Sequence, residues 1–285
     1  MAITTTPSIF VRFPEGRAKV LTFSYDDGFI HDERLLKLFD KYNFKATFNI
    51  STGKYWPEDK DYRDDWIWNY YKKSEASAAY GNTVHEIGVH GFSHPFLETL
   101  PPASIAHEVL NDREQLEEQF GTIIRGMAYP KGSFSDKVVD VLKSCGIVYA
   151  RTVKSSYNFD LPKDWLRLSS TCHHNDPKLM ELANKFVDMK IRFHSQMFYL
   201  WGHSYEFIQK DNWNVIEEFA EFMSGREDEI WYATNIEIYE YLEDFNHLIF
   251  SADLTRVKNP TARKLWFSLD SKLVSIEPGE TKKIR

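Results

Sequence analysis

Short apolar runs alternate with longer helical stretches along most of this chain, and that alternation constrains the fold more than any other feature. Lys19 to Phe23 is an apolar run that ends in Ser24-Tyr25-Asp26-Asp27-Gly28, and Glu33 to Tyr42 then carries Leu35, Leu36 and Phe39 at helical spacing. Lys45 to Ile50 and Glu86 to Val89 read as the next strands, the second followed directly by His90-Gly91-Phe92-Ser93-His94. Pro101 and Pro102 open a charged helix that runs to Phe120 and stops at Gly121. Ile123 to Tyr129, Ile147 to Val153, Trp165 to Leu168, Met197 to Trp201 and Ile230 to Tyr232 are the later strand candidates. Helices are expected from Ser135 to Cys145, from Asp176 or Pro177 to Met189, from Trp213 to Met223 and from Thr234 to Phe245. Strands and helices in this order belong to an α/β fold with a mostly parallel sheet, closed or distorted into a β/α barrel. An open doubly wound sheet is the alternative. No glycine-rich dinucleotide or P-loop pattern follows the first strand.

The pattern divides the chain into a barrel over residues 1–245 and a small β extension over 246–285, where Leu248 to Ala252, Lys264 to Phe267 and Lys272 to Ile276 are short strand-like pieces. Tyr55 to Tyr80 is a polar insertion rich in tryptophan and tyrosine: a lid, a helical excursion or a partner surface. A net charge of -7 argues against a nucleic-acid partner. Two cysteines make no disulfide framework and no cysteine-based metal motif. The first ten residues have no basic start and no long apolar run, and no stretch reaches the roughly 20 apolar residues of a membrane span, so the expectation is a cytoplasmic protein with no membrane partner. Oligomeric state is left open. Aromatic residues are 15% of the chain, which fits either a heavily packed core or a site that stacks on sugars.

In a β/α barrel, function collects at the C-terminal ends of the strands. Those ends hold Asp26 and Asp27, His90 and His94, Tyr129-Pro130-Lys131-Gly132, Arg151, Trp165 to Arg167, and His203. Two imidazoles and one carboxylate suit a borderline divalent ion and leave a coordination position open. Asp26 and Asp27 are adjacent, so one can ligate while the other takes a proton from water. His203, from a distant strand, can protonate a leaving group. Asp-Asp-Gly is also an ordinary turn signal, and two histidines four apart arise by chance among ten; their joint placement at strand ends is what favours a site. His31 is close enough to Asp27 in sequence to support it, and His173-His174 can line the rim.

These residues resemble a known family. Thr22-Phe23-Ser24-Tyr25-Asp26-Asp27-Gly28 is similar to the first motif of the polysaccharide deacetylases (the NodB-homology domain, carbohydrate esterase family 4), and His90-Gly91-Phe92-Ser93-His94 to the second. The resemblance covers roughly residues 18–245 and implies a distorted parallel barrel. It implies Asp26 as general base, with Asp27, His90 and His94 holding a divalent metal: zinc first, with cobalt, nickel and manganese as alternatives. Ala128 stands where the third motif has an arginine that steadies the base. Arg151 is the residue expected to supply that charge, and Arg125 is also available. Asp164-Trp165 is a loose match to the fourth motif, and Phe198 to His203 matches the fifth, which implies His203 as general acid. Tyr129, Lys131, Trp165 and Trp201 are the expected substrate contacts, with a backbone N–H near Lys131 for the oxyanion. The implied reaction is hydrolysis of an N-acetyl group on an amino sugar or short glycan. An O-acetyl ester, a small non-sugar amide and a non-catalytic carbohydrate-binding role are the alternatives.

Overall fold

The structure is a computed structural model that describes residues 6–285; the reading of the extreme N-terminus rests partly on 1–5, which lie outside the described residues. The chain opens with β1 (Ile9–Arg12), then runs into β2 (Lys19–Asp27), buried at every position. Burial on both faces marks a central strand of a parallel sheet. Next come α1 (Asp32–Lys41), β3 (Ala46–Ile50), α2 (Lys73–Tyr80), β4 (Glu86–Val89), α3 (Pro102–Phe120), β5 (Gly126–Ala128), α4 (Asp136–Ser144) and β6 (Tyr149–Ser155). The second half of the barrel is β7 (Leu168–Ser170), β8 (Cys172–His173), α5 (Leu179–Asp188), β9 (Gln196–Gly202), α6 (Tyr205–Lys210), α7 (Asn214–Met223), β10 (Ile230–Tyr232) and α8 (Asn235–Asn246). The tail is all β: β11 (Ile249–Phe250), β12 (Arg256–Lys258), β13 (Leu265–Leu269), β14 (Lys272–Ile276) and β15 (Thr281–Lys283).

The main sheet has nine parallel strands in the order β7-β6-β5-β4-β3-β2-β9-β8, with β10 against the first part of β2. The two ends of that path are one piece of chain. Residues 168–170 pair with β6, residues 172–173 pair with β9, and Thr171 N–H donates to Tyr199 O between them. The sheet therefore closes into a distorted barrel, as the alternation of elements implied. Trp165–Arg167, expected as a strand, is a 3-10 turn that leads into β7.

Helix ends follow local chemistry. Ser135 caps α4 by accepting from Val138 N, and α3 ends at Gly121 in the left-handed region. Thr234 and Glu237 form a reciprocal capping box on α8. The extension comprises two three-stranded antiparallel sheets, β1-β13-β14 and β11-β12-β15. The boundary expected at 245/246 assigns Ile9–Arg12 to the barrel, yet β1 pairs with β13, Ile9 opposite Leu269. Tyr241 on α8 ties this sheet down: its hydroxyl donates to Arg12 O at 2.6 Å and accepts from Trp266 N. Among the described residues, no helix is long and apolar enough to cross a membrane.

At the other end of the barrel from the strand C-termini, Glu86 accepts from Tyr149 Oη, Thr47 Oγ1 and Ile236 N, the last in the first turn of α8. Burial pushes its pKa up to about 7 against the pull of those three donors. A carboxyl whose folded pKa is raised adds stability below its unfolded pKa of 4.5 and loses it as pH climbs through about 7. Wild-type protein should therefore lose about 2 kcal/mol between pH 5 and pH 8 from this group. Glu86→Gln should flatten that slope in urea melts; an unchanged slope would remove Glu86 as its source.

Candidate active site

Asp26 and Asp27 end the central strand, and the strands on either side bring their partners. Asp26 is 2% exposed. Asn49, its register partner on β3, donates to Oδ1 at 2.9 Å and to Ser24 Oγ at 2.8 Å. Asn49 Oδ1 would meet a Cβ at position 88 at 2.4 Å, so only glycine fits on β4 there. Arg151 Nη2 donates to Asp26 Oδ2 in a fully buried ion pair. Burial raises the Asp26 pKa, but the charges of Arg151, His90 and His203 and the Arg151 hydrogen bond outweigh it and hold it at about 2. Arg151 is the register partner of Ala128 on the neighbouring strand, so the charge missing at 128 enters from one strand over. Arg125 lies elsewhere, 3.9 Å from Glu240 on α8. The Arg151 guanidinium lies over the Trp201 ring, 4.1 Å from its centroid.

Asp27, His90 and His94 converge beside this pair. Asp27 Oδ1 is 3.5 Å from His90 Nε2 and 3.3 Å from His94 Nε2. Tetrahedral ligands at about 2.0–2.1 Å from an ion stand about 3.3 Å apart, so these separations suit a shared cation. His90 Nδ1 donates to Ala128 O at 2.8 Å, which leaves the lone pair on Nε2. Asp27 Oδ1 and His90 Nε2 are buried with no hydrogen-bond partner. Burial and the neighbouring His90 lower the His94 pKa to about 4, so His94 is a neutral imidazole at pH 7. Asp27 and His94 both hold positive φ, +82° and +58°. Backbone this costly persists where its surroundings over-determine it. The donor set fits a divalent ion.

His203 Nε2 faces the same two aspartates, 3.9 Å from Asp26 Oδ2 and 4.0 Å from Asp27 Oδ2. Burial alone would lower its pKa; Glu206, Asp27 and Asp26 outweigh that and raise it to about 9. Tyr129 is buried, with its hydroxyl donating to Leu166 O and its ring stacked on Phe134. Lys131 sits at positive φ in an exposed turn, its ammonium 4.2 Å from the Phe96 ring centroid. Trp201 is buried between Arg151 and His173. Trp165 is not brought to this cluster: its indole meets Tyr239 of α8 edge-on, in the smaller core cluster. Asp164 caps its own turn and pairs with Arg167. His31 Nε2 lies 3.0 Å from Ile67 O in the insertion.

Three contributors escape a reading of motifs. Asn49 gives no signal in sequence. Asp112 does: it interrupts the buried stripe Ile105, Val109, Leu116 of α3, where its carboxylate accepts from Thr52 N and Oγ1 and from His90 N. Glu206 stands three residues beyond His203 on α6, a helix too short to show a periodicity. The insertion reaches the site through aromatic contacts, with Trp66 against Trp68, Trp68 against Tyr205, and Tyr205 against His203.

Residues 14–150 match the family model described as polysaccharide deacetylase. A Mycobacterium smegmatis structure described as a candidate polysaccharide deacetylase shares the fold at a TM-score of 0.59, with 17% identity over 83% of this chain and 94% of that one. The peptidoglycan deacetylase PdaC from Bacillus subtilis aligns at 0.50, with 15% identity over 80% and 94%. Among curated proteins, an uncharacterised Bacillus subtilis protein, YlxY, is 28% identical over 109 residues, 38% of this chain and only 30% of its own length.

Alanine at Asp27, His90 or His94 should each sharply lower the divalent metal retained after dialysis, whereas Asp26→Asn should retain it. Undiminished metal in the His90→Ala variant would take the pocket out of consideration.

Proposed function

We propose that this protein is a metal-dependent hydrolase that removes an N-linked acetyl group from an amino sugar in a small carbohydrate or glycan. One observation carries the reading: a buried carboxylate held ionised, Asp26, stands beside a three-donor pocket in which Asp27 Oδ1 and His90 Nε2 have no protein partner. A divalent ion held by Asp27, His90 and His94, zinc first among the candidates, would supply Lewis-acid polarisation of water and of the acetyl carbonyl.

The chain's own groups supply the proton transfers. Asp26 takes a proton from the attacking water, and Arg151 and Asn49 keep its carboxylate fixed and ionised. His203 carries a proton at neutral pH and directs Nε2 toward the same space. An amide nitrogen leaves poorly unless protonated, so His203 delivers that proton. In the turn after β5, the N–H groups of Tyr129, Gly132 and Ser133 are bonded to Arg151 O, Tyr129 O and Pro130 O, and Pro130 has none. The Lys131 N–H is not drawn into those bonds and is the donor we assign to the developing oxyanion. Lys131 and the 43%-exposed Trp68 have surface free for a sugar ring.

The test is acetate release from a panel of N-acetylated and O-acetylated sugars, after chelation and readdition of single metals. Asp26→Asn should keep its metal and lose about 10²-fold or more in kcat; near-normal turnover would overturn the role given to Asp26. An O-acetyl substrate leaves as an alkoxide and depends less on an acid, so His203→Asn should harm amide cleavage more than ester cleavage. No acetate release with any ion would favour a carbohydrate-binding role.

A further inference from the structure

A second group of titratable side chains lies behind His203. Glu206 Oε2 is 3.0 Å from His173 Nε2 and 2.8 Å from His174 Nε2, and Oε1 is 3.4 Å from His203 Nδ1. Asn175 Nδ2 also donates to Oε2, at 3.3 Å. His174 is fully buried, and the Glu206 side chain is 16% exposed.

Three imidazoles around a carboxylate can be an ion cradle or an anion solvated by ring N–H groups, and two details separate the cases. His173 Nδ1 accepts the Asn175 N–H at 3.1 Å, so its ring proton sits on Nε2, facing Glu206 as a donor. His90 has the opposite arrangement, with Nδ1 donating and Nε2 bare. The separations agree: His173 Nε2 and His174 Nε2 lie 3.0 and 2.8 Å from Glu206 Oε2, which also accepts from Asn175 Nδ2, whereas the donors around Asp27 stand 3.3–3.5 Å apart; the His174 ring is close to Glu206 but not aligned for a hydrogen bond. Glu206 is thus an anchored acceptor.

Its free face meets His203. Nδ1 of that ring is buried and has no hydrogen-bond partner, while Nε2 looks toward Asp26 and Asp27. We infer that Glu206, held by His173 and Asn175, is a positioning residue that takes the Nδ1–H of His203 and so aims Nε2 at the departing nitrogen. The inference rests on the amide hydrolysis proposed above. Asp164, in the loose match to the fourth motif, is engaged by Leu166 N and Arg167, and the carboxylate behind His203 comes from the helix that follows it.

Two readouts test this. In metal-free protein, ring ¹⁵N signals should show His203 protonated at Nδ1; Glu206→Gln should move the His203 ring signals and leave those of His90 in place. Unmoved His203 signals would overturn the inference whether or not the protein is a deacetylase. In kinetics, Glu206→Gln should lower kcat on an N-acetyl sugar about 10²-fold with KM nearly unchanged. Hydrolysis of 4-nitrophenyl acetate, whose phenolate leaves without a proton, should stay within a few-fold. Equal losses on both substrates would overturn it. Should Glu206→Gln fold poorly, the partly buried His173 gives a milder variant: His173→Ala should show the same amide-selective loss, about fivefold. A zinc ion that still binds the His90→Ala, His94→Ala double variant and is lost on adding Glu206→Gln would make Glu206 a ligand and also overturn the inference. Absence of acetate release by wild-type protein would count against the proposed function, and the ring signals alone would then judge Glu206.

Discussion

The ion pair between Asp26 and Arg151 is the interaction on which the rest of the site depends. Both side chains are almost wholly buried, and taking two charges out of water costs several kcal/mol per ion. The surroundings offset that cost. Asn49 donates to the second carboxylate oxygen, the guanidinium lies on Trp201, and Trp201 packs against His173. Removing one partner of such a pair leaves an unpaired buried charge at a cost of about 3–5 kcal/mol. Residues on β2, β3, β6 and β9 are thereby committed to one arrangement around Asp26.

Closure of the barrel makes the arrangement possible. Arg151 reaches Asp26 across the interior because β6 and β2 lie on different parts of one ring, joined through the split strand of residues 168–173. An open sheet would leave that arginine strands away from the aspartate. Ala128 is tolerated for a related reason: Arg151, its register partner within β6, supplies the charge from the neighbouring strand.

The strand ends were legible because the interior of a parallel strand in an α/β chain is mostly apolar, so a charged or imidazole residue at its end stands out. Asp26, Asp27, His90, His94 and His203 all announce themselves in this way, and the structure brings all five together. Trp165 was misplaced in sequence because a stretch as short as Trp165-Leu166-Arg167-Leu168 does not distinguish a strand from a 3-10 turn. Glu206 and Asn49 were hidden for a different reason. Their meaning lies in what faces them from other elements, and local pattern carries no trace of that. β1 was hidden similarly, since its partner lies at the far end of the chain.

That last pairing has a consequence for how the molecule assembles. Ser8 N donates to Asp270, 262 positions away in sequence, and β1 stays without its hydrogen-bonded partner until β13 has been made. Loop closure over such a span is entropically expensive unless the intervening chain is already compact. The barrel must therefore organise first, and the β1–β13 pairing acts as a clasp that snaps shut on a finished body. During synthesis β1 is made well before β13, and for that interval its edge is open to other chains.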